Sequence, residues 1–444
     1  MKRFPVLMLA VLTLTAFAGC GASAVLPAEG TPAAEISAEV PAEAYVEAPA
    51  ERLNLDIIVS RYSDKTQDWW EQFEADFEAA NEGIGLSIEV VPWSDIYSLV
   101  NSRISESCQP DILNISGFAD YVADNLLMPA EEYVSPQLKK DIIPSFWESN
   151  AVDGTVWALP LLASCRTLFC NMDILDRAGV EVPGTWDDVI PACRAIKEKC
   201  PGVTPWALDI STDEGQAAFS YYAWNFGGGF VDSDGCWALN SEENIKALEY
   251  ISDLYNSGCC NASPMTDTRS LLQEQFNEGS LAMMIGPFNM AVGDRDFNLT
   301  VSALPAVNSE PATPGICDQL VVFKNDEAPD QTARTAAVTA FLDAFYQPDT
   351  YAGYMVYEGF LPVTGDASRL LTSEAERFKD SGGVPGNSEL FAHFCPLLPS
   401  CRFYPLQKAE WMDVRNGVIE AEQNVCRGDI PAREALDRLQ RSVT

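Results

Sequence analysis

A chain of 444 residues is long enough for at least two domains, because single hydrophobic cores stop growing near roughly 250–300 residues. Its 65 Asp and Glu against 28 Lys and Arg give a net charge of −37, which excludes nucleic acid and anionic membrane surfaces as partners. With 47% hydrophobic residues the chain is otherwise an ordinary globular one, so the acidity reads first as a device for a soluble monomer and second as an attraction for cationic ligands.

Residues 1–19 read as a signal peptide. Lys2 and Arg3 give the positive start, and Val6 to Ala18 an apolar run too short for a membrane span of about 20 residues. Phe17-Ala18-Gly19-Cys20 resembles a bacterial lipobox, departing at Phe17, and the resemblance implies lipid on Cys20. Residues 20–52 form a disordered tether. Glu35, Glu39, Glu43, Glu47 and Glu51 would repel along one helical face, which Pro41 and Pro49 interrupt.

Leu53 to Ser60 is a first strand and Thr66 to Ala80 an amphipathic helix, with Trp69, Phe73 and Phe77 on one face. Leu86 to Val91 is a second strand, Ser94 to Ser107 a helix capped by Ser94, and Pro110 to Ile115 a third strand. The β-α-β-α-β order implies an α/β fold with a parallel sheet, whose ligands gather at the carboxyl ends of the strands. The loops after Ser60 and Ile115 are therefore candidate walls, presenting Arg61, Tyr62, Ser116, Gly117 and Phe118.

Trp157 to Asn171 has no glycine, one proline and no helical stripe, so it reads as extended chain. At roughly 3.3 Å per residue it reaches about 50 Å, too long for one strand of a compact sheet. Two strands in two sheets are expected, with a crossing near Ala163 to Arg166 that floors a cleft between two lobes. Helices follow at Asp173 to Gly179 and at Thr185 to Lys199, the second opened by an acidic capping box of Thr185 and Asp188. Pro205 to Asp209 is a strand, Gln216 to Phe226 and Glu242 to Ser257 are helices, and Ser280 to Ile285 is a strand. Leu299 to Pro305 is expected to return the chain to the first lobe, where Leu320 to Phe323 and the helix Thr332 to Phe345 follow. Tyr351 to Val363 makes a third crossing near residue 360, and helices at Lys408 to Cys426 and Pro431 to Arg441 close the second lobe. The expected lobes are 53–163 with 306–359, and 164–305 with 360–444.

Several runs carry a family resemblance: DGTVWALP from Asp153, RTLFCNMD from Arg166, AGV from Ala178, TWDD from Thr185, FNEGSLAMMIGPF from Phe276, EGFLPV from Glu358 and WMDVR from Trp411. In this order they resemble family 1 of the bacterial extracellular solute-binding proteins, receptors of ABC importers that include maltose-binding protein. The resemblance implies a two-lobed periplasmic-binding-protein fold, each lobe a mainly parallel sheet flanked by helices, joined by about three hinge crossings. It implies a mono- or oligosaccharide between the lobes, a membrane permease as partner, and a lipid-anchored place on the outer face of the cytoplasmic membrane. It implies no catalysis and no cofactor. By the same resemblance Phe288 replaces a sugar-stacking tryptophan, Trp411 opens a ligand-contacting helix, and Ser164 replaces a ligand-binding glutamate. Arg166 matches a frequent family arginine that binds ligand or braces the hinge by ion pairing.

The residues add their own candidates and alternatives. Trp224 and Asn225 run into Gly227-Gly228-Gly229, a turn expected to leave an aromatic exposed for a sugar face. A single histidine, His393, and the lack of a C-x-x-C pair argue against a zinc site and against Ser–His–Asp catalysis. Among 13 cysteines, Cys395 and Cys401 are the best local candidates for a disulfide, with buried free thiols the alternative. A receptor for polyamines or other cations would place carboxylates, rather than Arg166, at the cleft centre. A glycoside hydrolase would need two carboxylates about 5–10 Å apart, and no spacing singles out such a pair.

Overall fold

Alternating side chains build the first sheet. The structure is a computed structural model that describes residues 52–291, 295–307, 311–325, 330–378, 388–408 and 410–444, so the expected signal peptide, Cys20 and the expected tether as far as Glu51 lie outside the described residues. In β1 (Leu53–Ser60), Leu55, Ile57 and Val59 pack toward Trp70, Phe73 and Phe77 of α1 (Thr66–Ala80). Ile58 points to the opposite face, with Val91 of β2 (Ile84–Val91) and with Ile96 and Val100 of α2 (Ile96–Ser105). β1 runs parallel to β2 and to β3 (Ile112–Ile115), which leads into the short α3 (Ala119–Ala123). Asp95, rather than Ser94, precedes α2, and the Ser94 hydroxyl bonds the Asp95 carboxylate at 2.9 Å instead of capping the helix.

Two one-turn helices, α4 (Pro136–Asp141) and α5 (Pro144–Glu148), and the hairpin of β4 (Ala151–Val152) and β5 (Thr155–Val156) lead to β6 (Ala158–Asn171). Next come α6 (Met172–Ala178), α7 (Trp186–Lys199), β7 (Thr204–Trp206), α8 (Gly215–Asn225), α9 (Glu242–Asn256) and α10 (Arg269–Asn277). Then follow β8 (Leu281–Pro287), β9 (Leu299–Ser302), β10 (Thr313–Val322), α11 (Gln331–Phe345), α12 (Pro348–Glu358), α13 (Gly365–Glu374) and α14 (Ser388–Phe394). The chain ends with β11 (Cys401–Arg402), α15 (Trp411–Arg427) and α16 (Ala432–Val443).

β6 is one unbroken strand of 14 residues shared by two halves of the sheet, where two strands were expected. Its first half, Ala158 to Cys165, pairs antiparallel with β10; its second, Arg166 to Asn171, pairs with β8 and β9. The handover falls between Cys165 and Arg166. Among the described residues the larger sheet runs β2-β1-β3-β10-β6-β8-β7, parallel at its two ends and antiparallel where the long strands cross.

The second crossing differs from the expectation. Leu299 to Ser302 stays beside the second half of β6, and the chain returns along β10, which begins where the Thr313 hydroxyl donates to the Arg166 carbonyl at 2.6 Å. Thr313-Pro314-Gly315 and Asp318 interrupt the apolar pattern there, which hides the strand. Leu361 makes the third pass, exchanging backbone bonds of 2.8 and 2.9 Å with Ala163. The three passes therefore lie side by side.

Beyond β6 a second core gathers Trp186 of α7, Ile245, Leu248, Ile251 and Leu254 of α9, and Val414 and Val418 of α15. The Asp188 carboxylate accepts from the Thr185 backbone N–H at 3.0 Å, as the capping box requires. The described cysteines are all free thiols; Cys395 and Cys401 are buried but unlinked, and the Cys401 thiol meets that of Cys165. No helix among the described residues is long and apolar enough to cross a membrane.

Candidate functional site

The Gly315 to Gln319 stretch of β10 floors a cavity of about 880 Å³ at the crossing. One wall is Tyr97 of α2, Ser116, Gly117 and Phe118 after β3, and Asp120 of α3; the other is the loop of Phe403, Tyr404, Leu406 and Gln407 after β11. Tyr97, Ile316 and Leu406 are three of the six exposed large hydrophobics among the described residues, and all three line this cavity. Such a concentration of exposed apolar surface in one concave place marks a binding site. Gly315 permits the walls to meet the floor, since a Cβ there would lie 2.8 Å from the Phe403 ring and 2.9 Å from the Cys401 Cβ.

On the floor, Asp318 Oδ2 accepts from the Tyr62 hydroxyl at 2.9 Å, and the same hydroxyl lies 3.1 Å from Asn114 Oδ1. Burial pushes the Asp318 carboxyl up to about 6, against the opposing pull of the Tyr62 bond. The Tyr62 ring stands edge-on to Phe360 at 5.1 Å and to Trp93 at 5.9 Å. On the far wall the Tyr404 ring stacks with Trp411 at 5.2 Å and with Trp224 at 5.7 Å, and its hydroxyl lies 3.3 Å from Ser220 Oγ. Burial raises the Tyr404 phenol to about 12. The described lining includes Asp120, Asp124 and Asp318 and no Lys, Arg or His.

Of the sequence candidates, Ser116 and Gly117 line the cavity, and Tyr62 reaches it through Asp318. Ser164, half-buried, lies opposite Ile316 across the β6–β10 pair, and paired residues share a face. Arg61 is exposed beyond β1 and outside the lining. The two tryptophans are 6% and 7% exposed for Trp224 and Trp411, and they meet the cavity by flanking Tyr404. The glycine turn packs more tightly than expected: a Cβ on Gly228 would fall 2.2 Å from Asn244 Oδ1, and one on Gly229 3.2 Å from the Trp224 ring. Glycine there admits Asn244 and closes over the indole.

Three candidates point inward. Phe288 is 2% exposed and packs on Phe394 at 5.0 Å and Phe391 at 5.1 Å, in the core rather than the cavity. Asn225, 1% exposed, donates to the Tyr221 and Ala312 carbonyls at 2.7 and 2.8 Å and accepts from the Ala312 N–H at 2.8 Å, fastening the chain before β10. Arg166 is held in an ion pair, its Nη2 donating to both Glu214 oxygens at 3.1 Å, while Arg269 Nε donates to the same carboxylate at 2.8 Å.

The sequence matches the family described as bacterial extracellular solute-binding protein over residues 62–352, well over half of the chain. The chain belongs to that family. A binding protein of Brucella abortus is 27% identical over 380 residues, covering 83% of this solute-binding protein and 87% of its relative. An arabinooligosaccharide-binding protein of Halalkalibacterium halodurans is 26% identical over 237 residues, which is 52% of this chain and 51% of that one. The crystal structure of a cyclic α-maltosyl-1,6-maltose binding protein from Arthrobacter globiformis superposes with a TM-score of 0.74 at 20% identity, covering 88% of this chain and 98% of that one. That likeness places the fold among the two-lobed sugar-receptor structures. The family fits an extracellular or periplasmic location, and its members here are binding proteins.

Tyr97, Asp120, Asp318 and Tyr404 are lining residues of this solute-binding protein that the sequence reading missed. Two signals were available. Phe403-Tyr404-Pro405 is an aromatic pair closed by proline just ahead of the WMDVR run, and Asp318 is an acid set inside an otherwise strand-like stretch.

Proposed function

We propose that this protein is the ligand receptor of an ABC importer, and that it captures a mono- or oligosaccharide in the cavity over β10. The observation that carries the reading is the pair of aromatic walls, Tyr97 with Phe118 facing Phe403 with Tyr404, across a floor that supplies the polar groups Asp318 and Gln319. Flat ring faces suit the apolar face of a sugar, the polar floor suits its hydroxyls, and a volume of about 880 Å³ accommodates a short oligosaccharide. The related arabinooligosaccharide- and maltosyl-maltose-binding proteins support the same class.

Closure is a rotation of two lobes about the three adjacent passes at 163–166, 313–318 and 361, driven by ligand contacts to both walls, and the closed form docks on a permease. Lipid on Cys20 holds the monomeric receptor at the membrane while residues 21–52 give it reach. It performs no covalent chemistry. A thermal-shift screen of the protein over mono- and oligosaccharides, polyamines, amino acids and peptides tests the reading. A saccharide hit, with the sugar recovered unchanged, supports it; a hit confined to amino acids, peptides or polyamines overturns it.

A further inference from the structure

We propose that the cleft selects carbohydrate bearing a protonated amine, with Asp318 as the counter-charge on the floor and the exposed Tyr97 ring beside it. The proposal rests on the carbohydrate reading and names the sugar class within it. Its first support is the sign of the cavity: three aspartates line it with no basic side chain among the described lining residues. Arg61 and Arg402 are exposed and outside the lining, and three other nearby cations are engaged elsewhere. Arg166 is held by Glu214, Arg415 Nη2 by the Thr212 and Asp213 carbonyls at 2.9 and 3.0 Å, and Lys408 Nζ by the Gly235 carbonyl at 2.9 Å and the Trp237 ring. A uronate or sugar phosphate would meet uncompensated negative charge.

The second support is Asp318 itself. Its one hydrogen-bond partner among the described residues is the neutral Tyr62 phenol, on Oδ2. A half-buried carboxylate with spare acceptor capacity gains from an ammonium donor a charge–charge attraction that a neutral hydroxyl does not supply. An amine set against the sugar ring would also lie within reach of aromatic faces that attract cations, and Tyr97 is 42% exposed at the cavity edge. An N-acetyl group on the same nitrogen removes the charge and leaves the carboxylate with a neutral partner.

The test is calorimetric titration of the protein at pH 6.5, where the sugar amine and Asp318 both carry charge, with matched sets: glucosamine and galactosamine, their N-acetyl and hydroxyl counterparts, the corresponding tetrasaccharides of chitosan, chitin and maltose, a galacturonate tetramer, and putrescine. The expected result is that an amine-bearing sugar binds at least tenfold tighter than its N-acetyl and hydroxyl counterparts, that galacturonate does not bind, and that Asp318→Asn removes the preference. Equal or better binding of the neutral or acetylated sugars to the unaltered protein overturns the proposal and leaves the carbohydrate reading standing. An amine preference that survives in Asp318→Asn also overturns it. Silence of every sugar, with or without a putrescine signal, overturns both.

Discussion

Two carboxylates stand close to the same crossing and meet opposite fates. Glu214, ahead of α8, is clamped by Arg166 from β6 and Arg269 from α10, so its charge is matched inside the protein. Asp318, on the neighbouring strand β10, has a phenol for a partner and a cavity in front of it. The difference teaches which charges hold the hinge and which are left for a ligand. Replacing each acid by its amide should therefore move stability in opposite directions. Glu214→Gln leaves Arg166, whose side chain is 6% exposed, without a counter-charge, and uncompensated buried charge costs about 3 kcal/mol. Urea unfolding checks this, and a loss below about 1 kcal/mol would show that Arg166 has another anion.

Glu422 of α15 sharpens the contrast, being fully buried with neither oxygen hydrogen-bonded among the described residues. Burial, with Asp209 adding, raises its carboxyl well above the usual range, so the folded protein holds a proton that the unfolded chain releases above about pH 4.3. Stability should then fall with rising pH through that group by about 1.4 kcal/mol per unit until the folded value is reached. Glu422→Gln keeps the neutral form and should flatten that slope. The variant should melt higher than the parent at pH 7 and at the same temperature near pH 4; parallel pH profiles would mean that Glu422 is ionised and paired.

Asp318 follows the same sign with a smaller effect. Its folded value of about 6 exceeds the unfolded value of about 3.9, so its ionisation opposes folding from about pH 4 upward, in full above 6. Tyr62, Tyr354 and Cys317 face it, and burial pushes all three up, so they stay neutral over that window. Asp318→Asn should gain about 1–2 kcal/mol at pH 8 and nothing at pH 4, read as the difference between two urea midpoints. A loss at pH 8 would place an unseen cation beside Asp318 and erase its contrast with Glu214.

Local rules were readable from the sequence and distant ones were not. The bounds of β1, the α7 capping box and the inward face of α9 each depend on residues within a few positions, so periodicity and spacing reveal them. The length of Trp157 to Asn171 exposed the crossing because no compact sheet takes that much extended chain on one side. Only the end of β10, from Leu320, was anticipated, since Thr313-Pro314-Gly315 and Asp318 make sense only once β6 and the cavity are in place. The site was half-legible for the same reason. Ser116 and Gly117 follow from the rule for strand ends, whereas Trp411 and Trp224 carry a residue between them, Tyr404, whose position depends on a loop returning from far along the chain. Arg166 showed its charge in the sequence but not its partner, Glu214, 48 residues away.

The two walls allow the smallest of these contrasts to be measured. Tyr404 lines the cavity and places its hydroxyl 3.3 Å from Ser220 Oγ, so ring and hydrogen bond are separable. Tyr404→Phe keeps the ring against its two indoles and should change sugar affinity by less than about threefold. Tyr404→Leu keeps comparable bulk but loses the planar face, and should weaken sugar binding roughly tenfold, about 1.4 kcal/mol. Trp411→Leu should produce a similar loss, because the indole acts by holding Tyr404 at 5.2 Å rather than by touching the sugar. Combining the two leucines should then cost little more than either alone, as expected of residues acting through one contact. Full additivity, measured by calorimetry on a melt that stays cooperative, would make Trp411 a direct ligand contact and move the binding surface deeper behind the far wall.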